Sequence, residues 1–82
     1  HISQRIAEAL IESMTANGSG SIGMPQAVAI VKSLEPLMAN KTDADLRRRM
    51  EGLFFNPLVI NGRTIQAVRD KEDGSKVLIT LK

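Results

Sequence analysis

An 82-residue chain with 43% apolar residues and a formal net charge of +2 makes one small domain, able to bury only about 60–65% of its unfolded surface. The absence of cysteine excludes disulfides and thiolate-ligated zinc. No apolar run approaches the ~20 residues that an α-helical membrane span requires, and no charged segment followed by an apolar one marks a secretory leader.

Aromatic content is 2%, from Phe54 and Phe55 alone, so the core must be built from Leu, Ile, Val, Ala and Met. Ile2, Ile6, Ala9, Leu10, Ile11 and Met14 recur at helical spacing, with Glu8 and Glu12 on the other face. This predicts a first helix from Ser3 to Ala16, capped by Ser3 and stopped by Asn17-Gly18. The Gly/Ser-rich run that follows lacks a Gly-Lys-Ser/Thr ending and comes after a helix rather than a strand. It is therefore read as a connection, with Ile22 the buried residue of a short extended piece, and not as a phosphate-binding loop.

Met24-Pro25-Gln26-Ala27 opens a second helix, because proline in a first turn forfeits no hydrogen bond. Ala27, Ile30, Val31 and Leu34 form its stripe, and Pro36 ends it near Leu34. Leu37 and Met38 are expected to pack as a turn or short extra helix. Thr42 is the cap of a third helix, with Asp43 and Asp45 in the first turn, where the helix dipole favours negative charge. Leu46, Met50, Leu53 and Phe54 give its buried stripe, and Asn56-Pro57 stops it. Phe55, adjacent to Phe54, is expected in the core.

Leu58-Val59-Ile60 is β-prone, Asn61-Gly62 is a strong two-residue turn signal, and Arg63 to Arg69 alternates. A polar loop over 70–75 leads to a last strand near Lys76–Lys82. The segment from Phe54 to Gly62 is either extra material between the third helix and the hairpin or the first strand of a three-stranded meander. The fold class is thus α+β, a small three-helix domain with a C-terminal β-hairpin.

Charge is unevenly distributed. Residues 1–40 carry Arg5 and Lys32 against Glu8, Glu12 and Glu35, a net of −1, whereas residues 41–82 carry nine Lys/Arg against six Asp/Glu, a net of +3. Arg47, Arg48 and Arg49 sit on the third helix, where ~100° per residue spreads them over about 200°. Leu46 and Met50 fix the buried side, so Arg48 points outward and Arg47 and Arg49 flank the core edge. Arg47 also has i,i+4 partners in Asp43 and Glu51.

The order helix, extended piece, helix, helix, strand, loop, strand resembles the winged-helix superfamily over almost the whole chain. Ala27-Val28-Ala29-Ile30-Val31, Leu46 to Leu53 and the hairpin from Ile65 to Leu81 carry the resemblance. It implies a double-stranded DNA partner, with the third helix in the major groove and the hairpin wing on the backbone. On that implication Arg47 and Arg48 contact bases or phosphates, Lys41 and Thr42 sit near a phosphate at the helix N-terminus, and Arg69, Lys71 and Lys76 contact the backbone from the wing. Arginine suits the task because it bonds guanine or phosphate bidentately, and each neutralised phosphate releases counterions. Asp43, Asp45, Asp70, Glu72 and Asp73 oppose it. The alternative is a protein-interaction or dimerisation module on the same scaffold. Cullin C-terminal domains, with a basic third helix leading into a hairpin, are a distant resemblance of that kind.

No enzyme is expected. The lone histidine is His1, no Cys/His pair exists, and Glu8 and Glu12 have no partner that would make them ligands. Catalytic residues, metal sites and cofactors are therefore expected to be none. His1 in place of an initiator methionine suggests a fragment of a larger protein, and a cytoplasmic location is expected.

Overall fold

The computed structural model of the protein describes residues 3–82. His1, and the Ile2 assigned to the first apolar stripe, lie outside the described residues. Helix α1 runs Gln4–Ala16, strand β1 Ser21–Gly23, helix α2 Met24–Leu34, a single 3-10 turn Pro36–Met38 and helix α3 Asp43–Phe54. Strands β2 (Leu58–Ile60), β3 (Arg63–Arg69) and β4 (Val77–Leu81) complete the chain.

Each helix begins and ends for a local reason. The Ser3 hydroxyl accepts from the Ile6 amide at 3.3 Å, and Gly18 takes φ 79° just past the end of α1. Its N–H donates to the Thr15 carbonyl at 3.2 Å, and its left-handed φ turns the following chain away from the helix. Pro25 lies in the first turn of α2, and the helix stops at Leu34 with Glu35 extended ahead of Pro36. The Thr42 hydroxyl accepts from the Asp45 amide at 3.1 Å and opens α3.

The four strands form one antiparallel sheet in the order β1-β4-β3-β2. The segment Leu58–Ile60 is a strand, so β2, β3 and β4 are a meander, and β1 pairs on the far side of β4. Asn61 and Gly62 both have positive φ, 51° and 76°, as a two-residue turn between twisted strands requires.

Register decides which side chains are buried. Ile22 pairs with Ile79 and Ala67 pairs with Ile79, so these three form one buried row across β1, β4 and β3, joined by Ile65 and Val77. A one-residue slip would turn the whole row outward. Helices α1 and α2 pack over β1 and β4, and α3 packs over β3. Leu10, Met14, Met24 and Phe54 fill the space between helices and sheet, and among the described residues no polar or charged residue is buried. Three methionines, Met14, Met24 and Met50, are core residues, as unbranched side chains suited to irregular gaps.

The arrangement is α+β and winged-helix-like, with one short strand between the first two helices and a sheet closed by the last hairpin. Among the described residues no helix is long and apolar enough to cross a membrane.

Two expectations need correction. Phe55 is 40% exposed and Leu37 is 80% exposed. Phe54 takes the inward position of the last turn of α3, so its neighbour faces away from the core. The 3-10 turn turns only Met38 toward the core and leaves Leu37 outside.

Candidate nucleic-acid interface

The three arginines of α3 face three directions. Arg47 lies on the flank beside the β3–β4 loop. Its guanidinium donates to the Ser75 carbonyl at 3.3 Å and pairs with Glu51 at 3.5 Å. Arg49 lies on the opposite flank, against a groove edged by Glu35 and Leu37. Arg48 projects outward between them. Ala44, one turn before it, is small and exposed, so the helix surface on that side of Arg48 is low and open to close approach.

The β3–β4 loop is held by its own polar groups. The Asp70 amide donates to the Lys76 carbonyl at 2.8 Å, and the Lys76 amide donates to the Asp73 carbonyl at 3.0 Å. The Asp70 carboxylate accepts from the Glu72 amide at 2.9 Å. The Asp73 carboxylate accepts from the Ser75 amide at 3.1 Å and the Ser75 hydroxyl at 2.6 Å. The Ser75 hydroxyl, then its amide, with a smaller contribution from the Lys76 charge, hold the Asp73 carboxyl below the usual carboxylate range.

Arg69, at the end of β3, donates to the Gly74 carbonyl at 3.1 Å. Its guanidinium lies 5.8 Å from the centre of the Phe55 ring, within the range of a cation–π contact. The side chain thus ties the loop to the end of α3. Lys71 and Lys76 are exposed on the loop. Lys41 is half-buried in the turn before α3, its amide bonded to the Met38 carbonyl.

Of the residues expected to form the interface, Arg47, Arg69, Lys71 and Lys76 are gathered on or against the loop, through Ser75 and Gly74. Lys41 and Thr42 lie at the other end of α3, and the Thr42 hydroxyl is engaged in capping. Asp43 has the i,i+4 spacing for Arg47 but pairs with Lys32 at 2.5 Å instead. Lys32 stands in the last turn of α2, and no spacing along the chain relates it to Asp43; only the α2–α3 packing does. Arg49 stands on the core edge, as its place on the helical wheel implies, and there borders the groove.

Of the five carboxylates that oppose an anionic partner, Asp43, Asp70 and Asp73 have partners, whereas among the described residues the Asp45 and Glu72 carboxylates have none. Asp43 meets Lys32, Glu51 meets Arg47, and Asp70 and Asp73 accept backbone amides. Among the described residues Lys41, Arg48, Lys71 and Lys76 form no ion pair. No protein-family model, curated protein sequence or solved structure matches this chain.

Proposed function

We propose that the chain is a winged-helix domain that binds double-stranded DNA. Arg48 and the outward side of α3 face the groove, and Lys71 and Lys76 lie on the phosphate backbone. The observation that carries this reading is the Arg47–Ser75 hydrogen bond, which sets the α3 flank beside the β3–β4 loop so that cations of both elements can meet one ligand. The Asp43–Lys32 pair favours it too, because it neutralises one carboxylate at the start of α3 and, among the described residues, leaves Lys41, Arg48, Lys71 and Lys76 outside ion pairs. Arg47 and Arg69 position the loop and contribute charge, whereas Arg48 is the side chain open to base edges. Lys41 adds charge at the N-terminus of α3, whose free amides favour a phosphate.

The test is fluorescence anisotropy on duplex DNA at several salt concentrations. Neutralising about four phosphates predicts a log–log salt slope near −3.6, or about a 100-fold loss of affinity between 50 and 200 mM salt. Arg48→Ala should lower affinity and relax discrimination between base pairs at the position it meets. Lys76→Ala should weaken binding about equally for all sequences and flatten the slope by about one unit. Absence of binding at the lowest salt, or affinity that does not change with salt, refutes the proposal.

A further inference from the structure

The flank of α3 turned away from the β3–β4 loop borders a groove of about 550 Å³. Ile6, Val31, Met38, Met50 and Leu53 line it, so its walls are mostly apolar. Its edges carry three further features. Leu37 stands on the 3-10 turn with 80% of its surface exposed. Gly52 lies on α3, and a Cβ built there would meet no atom within 4 Å. Glu35 and Arg49 both reach the groove, and among the described residues neither forms an ion pair.

We propose that this groove is a self-association surface and that a second copy of the chain occupies it about a two-fold axis. In an isologous interface one patch must supply both halves of every contact. This patch supplies a projecting side chain, Leu37, and a recess beside Gly52 to receive one. It also supplies an acid, Glu35, and a base, Arg49. Across a two-fold axis each Glu35 meets the other copy's Arg49, giving two equivalent ion pairs around an apolar centre. A nucleic acid has no use for the apolar walls, and the cations of the loop lie on the other flank of α3. The self-association does not rest on DNA binding.

Sedimentation velocity of the full chain, from low micromolar to near-millimolar concentration, tests it. A monomer–dimer equilibrium is expected. Glu35→Arg brings like charges together at both pairs, and so does Arg49→Glu. Each variant alone should lose at least roughly tenfold in association constant. Mixed in equal amounts, the two variants restore opposite charges at both pairs and should dimerise with each other. Leu37→Asp should be monomeric throughout. All three positions lie on the groove's edge outside the buried core, and far-UV circular dichroism of each variant should match the parent chain. A parent chain that stays monomeric over the whole range overturns the proposal, even if the groove then binds another protein. So do charge-reversed variants that dimerise as well as the parent, or that fail to pair on mixing.

Discussion

Gly52→Ala should make the folded chain more stable, although glycine in a helix is often kept for lack of room. Gly52 lies within α3 (Asp43–Phe54) and is exposed, its φ is not in the positive region, and an added Cβ would meet no atom within 4 Å. No contact is lost and no backbone strain is introduced. Alanine is favoured over glycine in a helix interior by about 0.8–1.0 kcal/mol, mostly because the unfolded chain has fewer conformations to lose. Gly52 is two residues from the last helical residue, where fraying reduces the effect, so about 0.5–1 kcal/mol is expected. An unfolding entropy of about 2.1 cal/mol/K per residue gives roughly 0.17 kcal/mol/K for a chain of this length, so Tm should rise by about 3–6 °C. Urea unfolding followed by circular dichroism, at concentrations below association, measures this directly. An unchanged or lowered midpoint at the same m-value would refute the description of Gly52 as an unobstructed helical position. The same methyl group should act oppositely on self-association, because it fills the recess beside Leu37 of the second copy. A variant more stable as a monomer and weaker as a dimer separates the fold from its use.

Three further outcomes follow from named contacts. Thr42→Ala removes the hydroxyl that accepts the Asp45 amide and should cost about 1 kcal/mol, recovered largely by Thr42→Ser; equal losses in both variants would exclude capping as the cause. Gly62→Ala forces a side chain onto φ 76° and should destabilise by roughly 1–2 kcal/mol, despite the open space around the position; no change in the urea midpoint would mean the turn relaxes freely. The Asp73 carboxyl is held low by Ser75, so its ordering of the loop is present above the unfolded carboxylate pKa of about 3.9 and is lost as pH falls through the lower folded value. The Ser75 amide resonance should titrate with a midpoint below about 3.9 and stop titrating in Asp73→Asn; a midpoint at or above that value contradicts the hydrogen bonds described.

The elements of this fold were largely legible because their signals are local. Ser3, Thr42, Pro25, Pro36 and Asn61-Gly62 each act on the backbone within a few residues, and the helix ends and the tight turn fall where they put them. The apolar period of α3 correctly separated Leu46, Met50 and Phe54 from the three arginines. What could not be read depends on pairs distant in sequence. Lys32 reaches Asp43 only because α2 and α3 pack side by side. Arg47 reaches Ser75 across 28 positions. Phe55 and Leu37 were misjudged for one reason: hydrophobicity predicts burial only where a neighbouring element covers the side chain, and no local pattern shows where coverage ends. Self-complementarity of the groove also lies beyond linear reading, since Glu35 and Arg49 come from separate helices' ends and flanks.

The strand order carries a consequence for the birth of the molecule. Strand β4 comes after the other three strands in sequence, yet it sits inside the sheet, with β1 on one side and β3 on the other. Until Val77–Leu81 emerges, β1 has no partner, and α1 and α2 lack the Val77 and Ile79 side chains against which they close. Folding of this domain during synthesis must therefore wait for β4, and until then the chain is a set of amphipathic helices with one loose edge segment. A truncation that removes β4 would unzip both halves of the domain at once, whereas changes in the β3–β4 loop leave the sheet's central pairing intact. Variation is thus best tolerated in the loop that faces the proposed ligand, and least in the final strand behind it.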